Sequence, residues 1–160
     1  MKHGILLTLS LLLTVALVPQ ASAHINQHCT VGFYKNHPQF LNSGTCKVPV
    51  FDQDTLVSTL FPDVDSCVGD LTLLQLLQSP TDVCGTGNTF PGAEVILLRQ
   101  TIARLANGAY SDPPSCDGVR GTIKSVNAFI DDAIATDNRG ELILVARKID
   151  MLNQGQCTLP

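Results

Sequence analysis

The sequence predicts an all-α fold: a compact disulfide-bonded bundle of about five helices, with a separate N-terminal signal helix ahead of it. Three observations carry this. Apolar residues in the second half recur at steps of three and four, the one stretch with strand character, Lys47 to Phe51, is interrupted by Pro49, and six cysteines are spread along the chain with no Cys-x-x-Cys pair.

At the start, Met1, Lys2 and His3 give a short basic segment, Gly4 to Val18 is an apolar run, and Ala21-Ser22-Ala23 sets small residues where a signal peptidase cuts. The expectation is a signal peptide over 1–23 and a mature chain over 24–160 that begins at His24. The run is too short for a spanning helix and none of comparable length follows, so no membrane span is expected after cleavage. The expected location is secreted, extracellular or periplasmic. Removing 23 of 160 residues leaves 137, one domain with enough chain to bury roughly two thirds of its unfolded surface. Without Lys2, nine basic residues face fourteen acidic ones, a net charge of minus five, which gives no electrostatic reason to bind nucleic acid or anionic lipid.

The elements follow in order. Pro38 pre-sets a helix start and pushes His37 into an extended conformation, so a turn leads into a short helix through Phe40 and Leu41. Asp54 to Phe61 and Leu71 to Gln78 are each bounded by a capping aspartate and a proline, Pro62 and Pro80, and read as two short helices. Leu71, Leu73, Leu74, Leu76 and Leu77 leave the second almost no polar face, which places it in the core in preference to a lipid surface. Cys84 to Phe90 reads as a disulfide-pinned loop. Pro91 to Asn107 is the strongest helix, with Val95, Leu98, Ile102, Leu105 and Ala106 in one stripe, Glu94 near its positive end, Arg104 near its negative end, and Gly108 as a left-handed exit. After a Ser/Asp/Pro loop, Val119, Ile123, Val126, Ile130 and Ala133 define a helix over 117–135. Asp137 and Asn138 break it. Asn138 with Glu141 makes a capping-box-like start to the last helix, whose buried face is Leu142, Val145, Ile149 and Leu152 before Gly155.

Cys29, Cys46, Cys67, Cys84, Cys116 and Cys157 form an even set, and the absence of closely spaced thiols favours three structural disulfides over a metal or redox site. Of the formally possible pairings, Cys29 with Cys157 would tie the two ends together, and Cys84 with Cys116 would cross the helix between them.

Catalytic templates do not match: there is no Gly-x-Ser-x-Gly elbow, no His-Glu-x-x-His, no phosphate-cradling glycine loop and no EF-hand spacing. Asp131-Asp132 is an adjacent carboxylate pair, but neighbours on a helix point about 100° apart, which suits a solvated surface better than an acid/base dyad. No catalytic residue and no cofactor is assigned. His24, His28 and His37 lie close together at the mature start and are the candidates for copper, since an amino-terminal histidine chelates through amine and ring.

Gly32-Phe33-Tyr34-Lys35-Asn36-His37-Pro38 is the one dense cluster of distinctive residues. It resembles the Gly-Tyr-Trp-Lys-Asn-His-Pro motif near the amino terminus of a group of small secreted bacterial proteins of unassigned activity. The likeness continues through the leucine-rich segment ending at Pro80, the Ala-Asn-Gly close of Leu98 to Ala109, and Asn153-Gln154-Gly155 before Cys157. Tyr34 stands where that motif has tryptophan, and the chain has no tryptophan at all. The resemblance implies no catalytic residues.

Two roles for the motif stay open. Structurally, Asn36 and His37 cap a helix while Lys35 points to solvent. Functionally, Tyr34, Lys35, Asn36 and His37 together present an aromatic face, a cation, and amide and imidazole donors, a set suited to sugars or anionic groups. The expected function is a non-catalytic secreted module that binds an extracellular or envelope ligand or partner. The alternative is a lipid-transfer-like carrier of apolar small molecules, followed by a secreted metal-dependent enzyme.

Overall fold

The longest and most buried helix determines how everything else is placed. The computed structural model describes residues 28–159; the expected signal segment 1–23 and His24 lie outside the described residues. Within them the chain forms seven α-helices, α1 (Val31–Asn36), α2 (Val57–Leu60), α3 (Ser66–Gly69), α4 (Leu73–Gln78), α5 (Phe90–Ala109), α6 (Cys116–Ala135) and α7 (Arg139–Asn153), with a 3-10 turn at Pro38–Phe40. No strand occurs among the described residues, and Leu56 and Thr72 make an isolated antiparallel bridge. The all-α expectation holds, with α1 and α3 as additional short helices.

Helix α5 is capped by Thr89, whose hydroxyl accepts from the Gly92 N–H at 3.2 Å, with Pro91 in the first turn. Thirteen of its twenty residues are buried, so it is a central helix covered on all sides and not an amphipathic surface helix. Helices α6 and α7 pack on it and on each other as the antiparallel pair that the short break at Thr136–Asn138 requires, while α1, α3 and α4 also pack on it. Asp137 takes a left-handed backbone, φ 50°, at that break. The Gly92 position admits no side chain, because a Cβ there would run into the Thr86 carbonyl; the loop of residues 84–90 lies directly on the first turn of α5.

Two expected signals act differently. Gly108 lies inside α5, which runs on to Ala109, because Ala109 is buried at 2% exposure and the Gly108 carbonyl accepts from the Ser115 N–H at 2.9 Å. The missing side chain serves close approach there: a Cβ would sit 3.1 Å from Val119 of α6. The aspartates expected to cap α2 and α4 do not do so. Asp52 instead accepts from the Asp54 N–H in a local turn, and α4 is capped by Thr72, whose hydroxyl accepts from Gln75 N–H while the Gln75 side chain accepts from Thr72 N–H. At α7, Asn138 occupies the cap position without accepting a hydrogen bond through its side chain.

The leucines of α4 are core, as expected: Leu73, Leu76 and Leu77 are fully buried, beside Phe51, Phe61, Leu98, Ile102 and Ile130. Three disulfides brace this interior, Cys29–Cys157, Cys46–Cys116 and Cys67–Cys84. The expected link between the two ends is present. The expected Cys84–Cys116 link is not, and α5 is the reason: twenty residues of helix span about 30 Å and hold Cys84 before its start and Cys116 beyond its end.

Candidate functional site

The last turns of α5 carry a polar residue where the apolar stripe calls for another hydrophobe. Asn107 is 1% exposed, and its amide is saturated. Its Oδ1 accepts from the Cys29 N–H at 2.7 Å and from the Tyr34 hydroxyl at 2.9 Å, while its Nδ2 donates to the Cys29 carbonyl at 2.9 Å and to Asn153 Oδ1 at 3.1 Å. Asn153 in turn donates to the Gln100 carbonyl at 2.9 Å. One buried amide therefore joins the N-terminal segment, α1, α5 and the end of α7. It fixes Cys29, and with it the position of His28.

His28 is placed a second time from the other end of the chain. Its Nδ1 lies 3.0 Å from the Leu152 carbonyl, and its ring packs over Gly155, where a Cβ would come within 2.6 Å of the His28 Cβ. A carbonyl only accepts, so Nδ1 carries a proton, and when the ring is neutral Nε2 is the acceptor.

Beside His28, the end of α5 and the start of α6 enclose a cleft of about 200 Å³ whose wall includes Arg104, Asn107, Ser111, Ser115 and Thr122. Ser111 is committed to the loop: its hydroxyl shares its one proton between the Gly108 and Pro113 carbonyls and accepts from the Ser115 N–H. Thr122 donates to the Gly118 carbonyl at 2.8 Å. Ser115 precedes α6 as its cap residue, yet its hydroxyl makes no capping bond. The Arg104 guanidinium has no hydrogen-bond or ion-pair partner among the described residues, and no carboxylate among them lines the cleft. Arg104, Ser115 and His28 thus line the cleft with a guanidinium, a hydroxyl and a ring Nε2 that make no hydrogen bond among the described residues.

The four motif residues do not share a surface. Tyr34 is fully buried, and burial pushes its phenol well above the usual tyrosine range, with the Tyr110 phenol adding to the rise. Lys35 and Asn36 are exposed on α1, Asn36 donating to the Gly32 carbonyl at 3.0 Å. His37 stacks on Phe33, ring centroids 4.5 Å apart, with its Nδ1 3.0 Å from the Phe33 carbonyl. Most of the motif is thus the helix α1 itself, where a turn was expected. Its aromatic side continues through Phe40 to Tyr110. Of the copper candidates, His28 and His37 are held by different elements, and among the described residues no group of three or more His, Cys, Asp or Glu is arranged to hold a metal. Asp131 and Asp132 are both exposed.

A second polar feature lies at the other end of α5. Glu94 is 1% exposed, its Oε2 accepting from the Asp65 N–H at 3.0 Å, in a recess that also includes Asp63, Asp65, Ile134 and Asp137. Burial pushes its carboxyl from 4.5 up to about 7; the Asp65 N–H works against the rise and the Asp65 charge adds to it.

No protein-family model, curated protein or solved structure matches the chain.

Sequence reasoning passed over Arg104 and Asn107 because each had a ready structural explanation. Arg104 suited the negative end of a helix. Asn107 did carry a signal, being the one amide that interrupts the run Leu105, Ala106, Ala109 on the buried side of α5.

Proposed function

We propose that the protein is an exported, non-catalytic binding module that holds a small polar ligand in the cleft between His28 and the α5–α6 corner. The unpartnered Arg104 guanidinium carries this reading, because a cation facing a recess without a neighbouring carboxylate is left to bind something that enters from solution. The volume of about 200 Å³ is below the range of roughly 300 Å³ and more that drug-sized ligands occupy, which points to a ligand of about monosaccharide size. Export is supported by the signal-like start, by three disulfides, which persist in oxidising compartments, and by the resemblance to small secreted bacterial proteins. On this reading Tyr34 acts from beneath, holding Asn107 and so the cleft wall, while Lys35 and His37 stay outside the site.

Isotope-labelled mature protein titrated with a panel of small sugars, sugar acids and hydroxy acids tests the proposal. Amide shifts are expected to cluster at His28, Arg104 and Ser115 and to vanish in Arg104→Ala. Shifts confined to Lys35, Asn36 and His37 would move the site to the motif and overturn this assignment.

A further inference from the structure

Resting on that binding reading, we infer that the cleft takes a hydroxylated monocarboxylate, of the sugar-acid or α-hydroxy-acid class. The three free groups define this chemistry between them. A guanidinium presents two parallel N–H donors that match a carboxylate in a bidentate pair. His28, with Nδ1 committed to the Leu152 carbonyl, has Nε2 left over, and in the neutral ring that nitrogen accepts, which suits a ligand hydroxyl better than a second anionic oxygen. Ser115 has a hydroxyl free to donate or accept.

Charge selects further. Among the described residues, Arg104 is the sole basic side chain lining the cleft besides the His28 ring, and no acid lines it. One positive charge matches one negative charge, and a phosphate dianion would leave its second charge without a fixed cationic partner in the cleft. Across a chain of ten basic and fourteen acidic residues, this is a locally positive recess in an acidic protein, which concentrates anions at that point.

The test is calorimetric titration of the disulfide-intact mature protein with D-glucuronate, D-glucose, L-lactate and D-glucose 6-phosphate. Glucuronate, lactate or both are expected to bind, with glucose and the phosphate ester weaker by on the order of 10- to 100-fold, the range of a charge-assisted hydrogen-bonded pair. Arg104→Gln is expected to lose a similar factor toward the carboxylate, and Ser115→Ala, at an exposed position that leaves the fold alone, a several-fold factor. Binding of lactate without glucuronate assigns a free hydroxy acid, and the reverse a sugar acid. Glucose binding as tightly as glucuronate would overturn the carboxylate while sparing the binding reading. Carboxylate binding unchanged in both Arg104→Gln and Ser115→Ala would overturn the cleft itself. No binding by any of the four, with no amide shifts across the wider panel, would overturn both.

Discussion

Replacing Glu94 with glutamine is expected to stabilise the protein at alkaline pH and to leave it unchanged in acid. Glu94 sits in the second turn of α5 at 1% exposure, with its carboxyl in a recess shared with three aspartates, Asp63, Asp65 and Asp137. Burial raises its pKa from 4.5 to about 7. A carboxyl whose folded pKa is raised favours the fold while both states are protonated, below about pH 4.5. That contribution is lost as pH rises through about 7, since folding must then bury a charge or bind a proton. Each pH decade of displacement is worth about 1.4 kcal/mol, so the loss between these limits is about 3 kcal/mol. The glutamine amide keeps an oxygen to accept the Asp65 N–H and has no charge to bury. Urea unfolding at about pH 4, 6 and 8 with disulfides intact measures both proteins, and their difference isolates Glu94 from all other titrating groups. The expected advantage of Glu94→Gln is near zero at the lowest pH and about 3 kcal/mol at the highest. A difference that stays constant with pH, or a variant weaker than wild type in alkali, would refute the burial argument.

The buried amide and the disulfides give two more expectations. Asn107→Ala removes four buried hydrogen bonds, to the Cys29 N–H and carbonyl, the Tyr34 hydroxyl and Asn153 Oδ1, and at about 1 kcal/mol for each bond lost it should cost roughly 4 kcal/mol in urea unfolding, against about 1 kcal/mol for Tyr34→Phe. Equal losses would show that the amide is not the hub of the network. Removing Cys67–Cys84, with 17 residues of separation, should destabilise by about 3 kcal/mol and removing Cys46–Cys116, with 70, by about 4 kcal/mol, from loop-closure entropy; paired serine variants in the same assay check the order.

The long helices were legible because period and length agree in them: Val119, Val126, Ile130 and Ala133 are all buried on α6, at the spacing that predicted it. The one-turn helices were less so. Val57–Leu60 and Ser66–Gly69 are too short to show a period, and they are held by core contacts of Val57, Leu60 and Val68 and not by propensity. A short acceptor suits a cap and a turn alike: ahead of α2 Asp52 serves a turn, whereas Asp65 does cap α3 by accepting from the Cys67 N–H. The disulfide partner of Cys116 was hidden for another reason: distance along α5 separates Cys84 from it, whereas Cys46 arrives by a fold-back that no local pattern records. The motif was legible as distinctive but not as buried, since Tyr34 is driven inward by a hydrogen bond to Asn107, far along the chain. The cleft is a product of that same long-range placement: its arginine was visible beforehand only as a helix-end charge and His28 only as a copper candidate.

The cysteine bridges sit one inside another, 67–84 within 46–116 within 29–157, like matched parentheses. On the export reading proposed above, a chain threading N-terminus first into an oxidising space delivers three thiols before any of them has its mate. Each later thiol then belongs with the most recent one still waiting. Innermost closure also spans the shortest stretch and costs the least entropy, so length and order of arrival favour the same sequence of events. The hazard is premature joining of Cys29 to Cys46, which would strand both Cys116 and Cys157, and a thiol-disulfide isomerase is the kind of catalyst able to undo it.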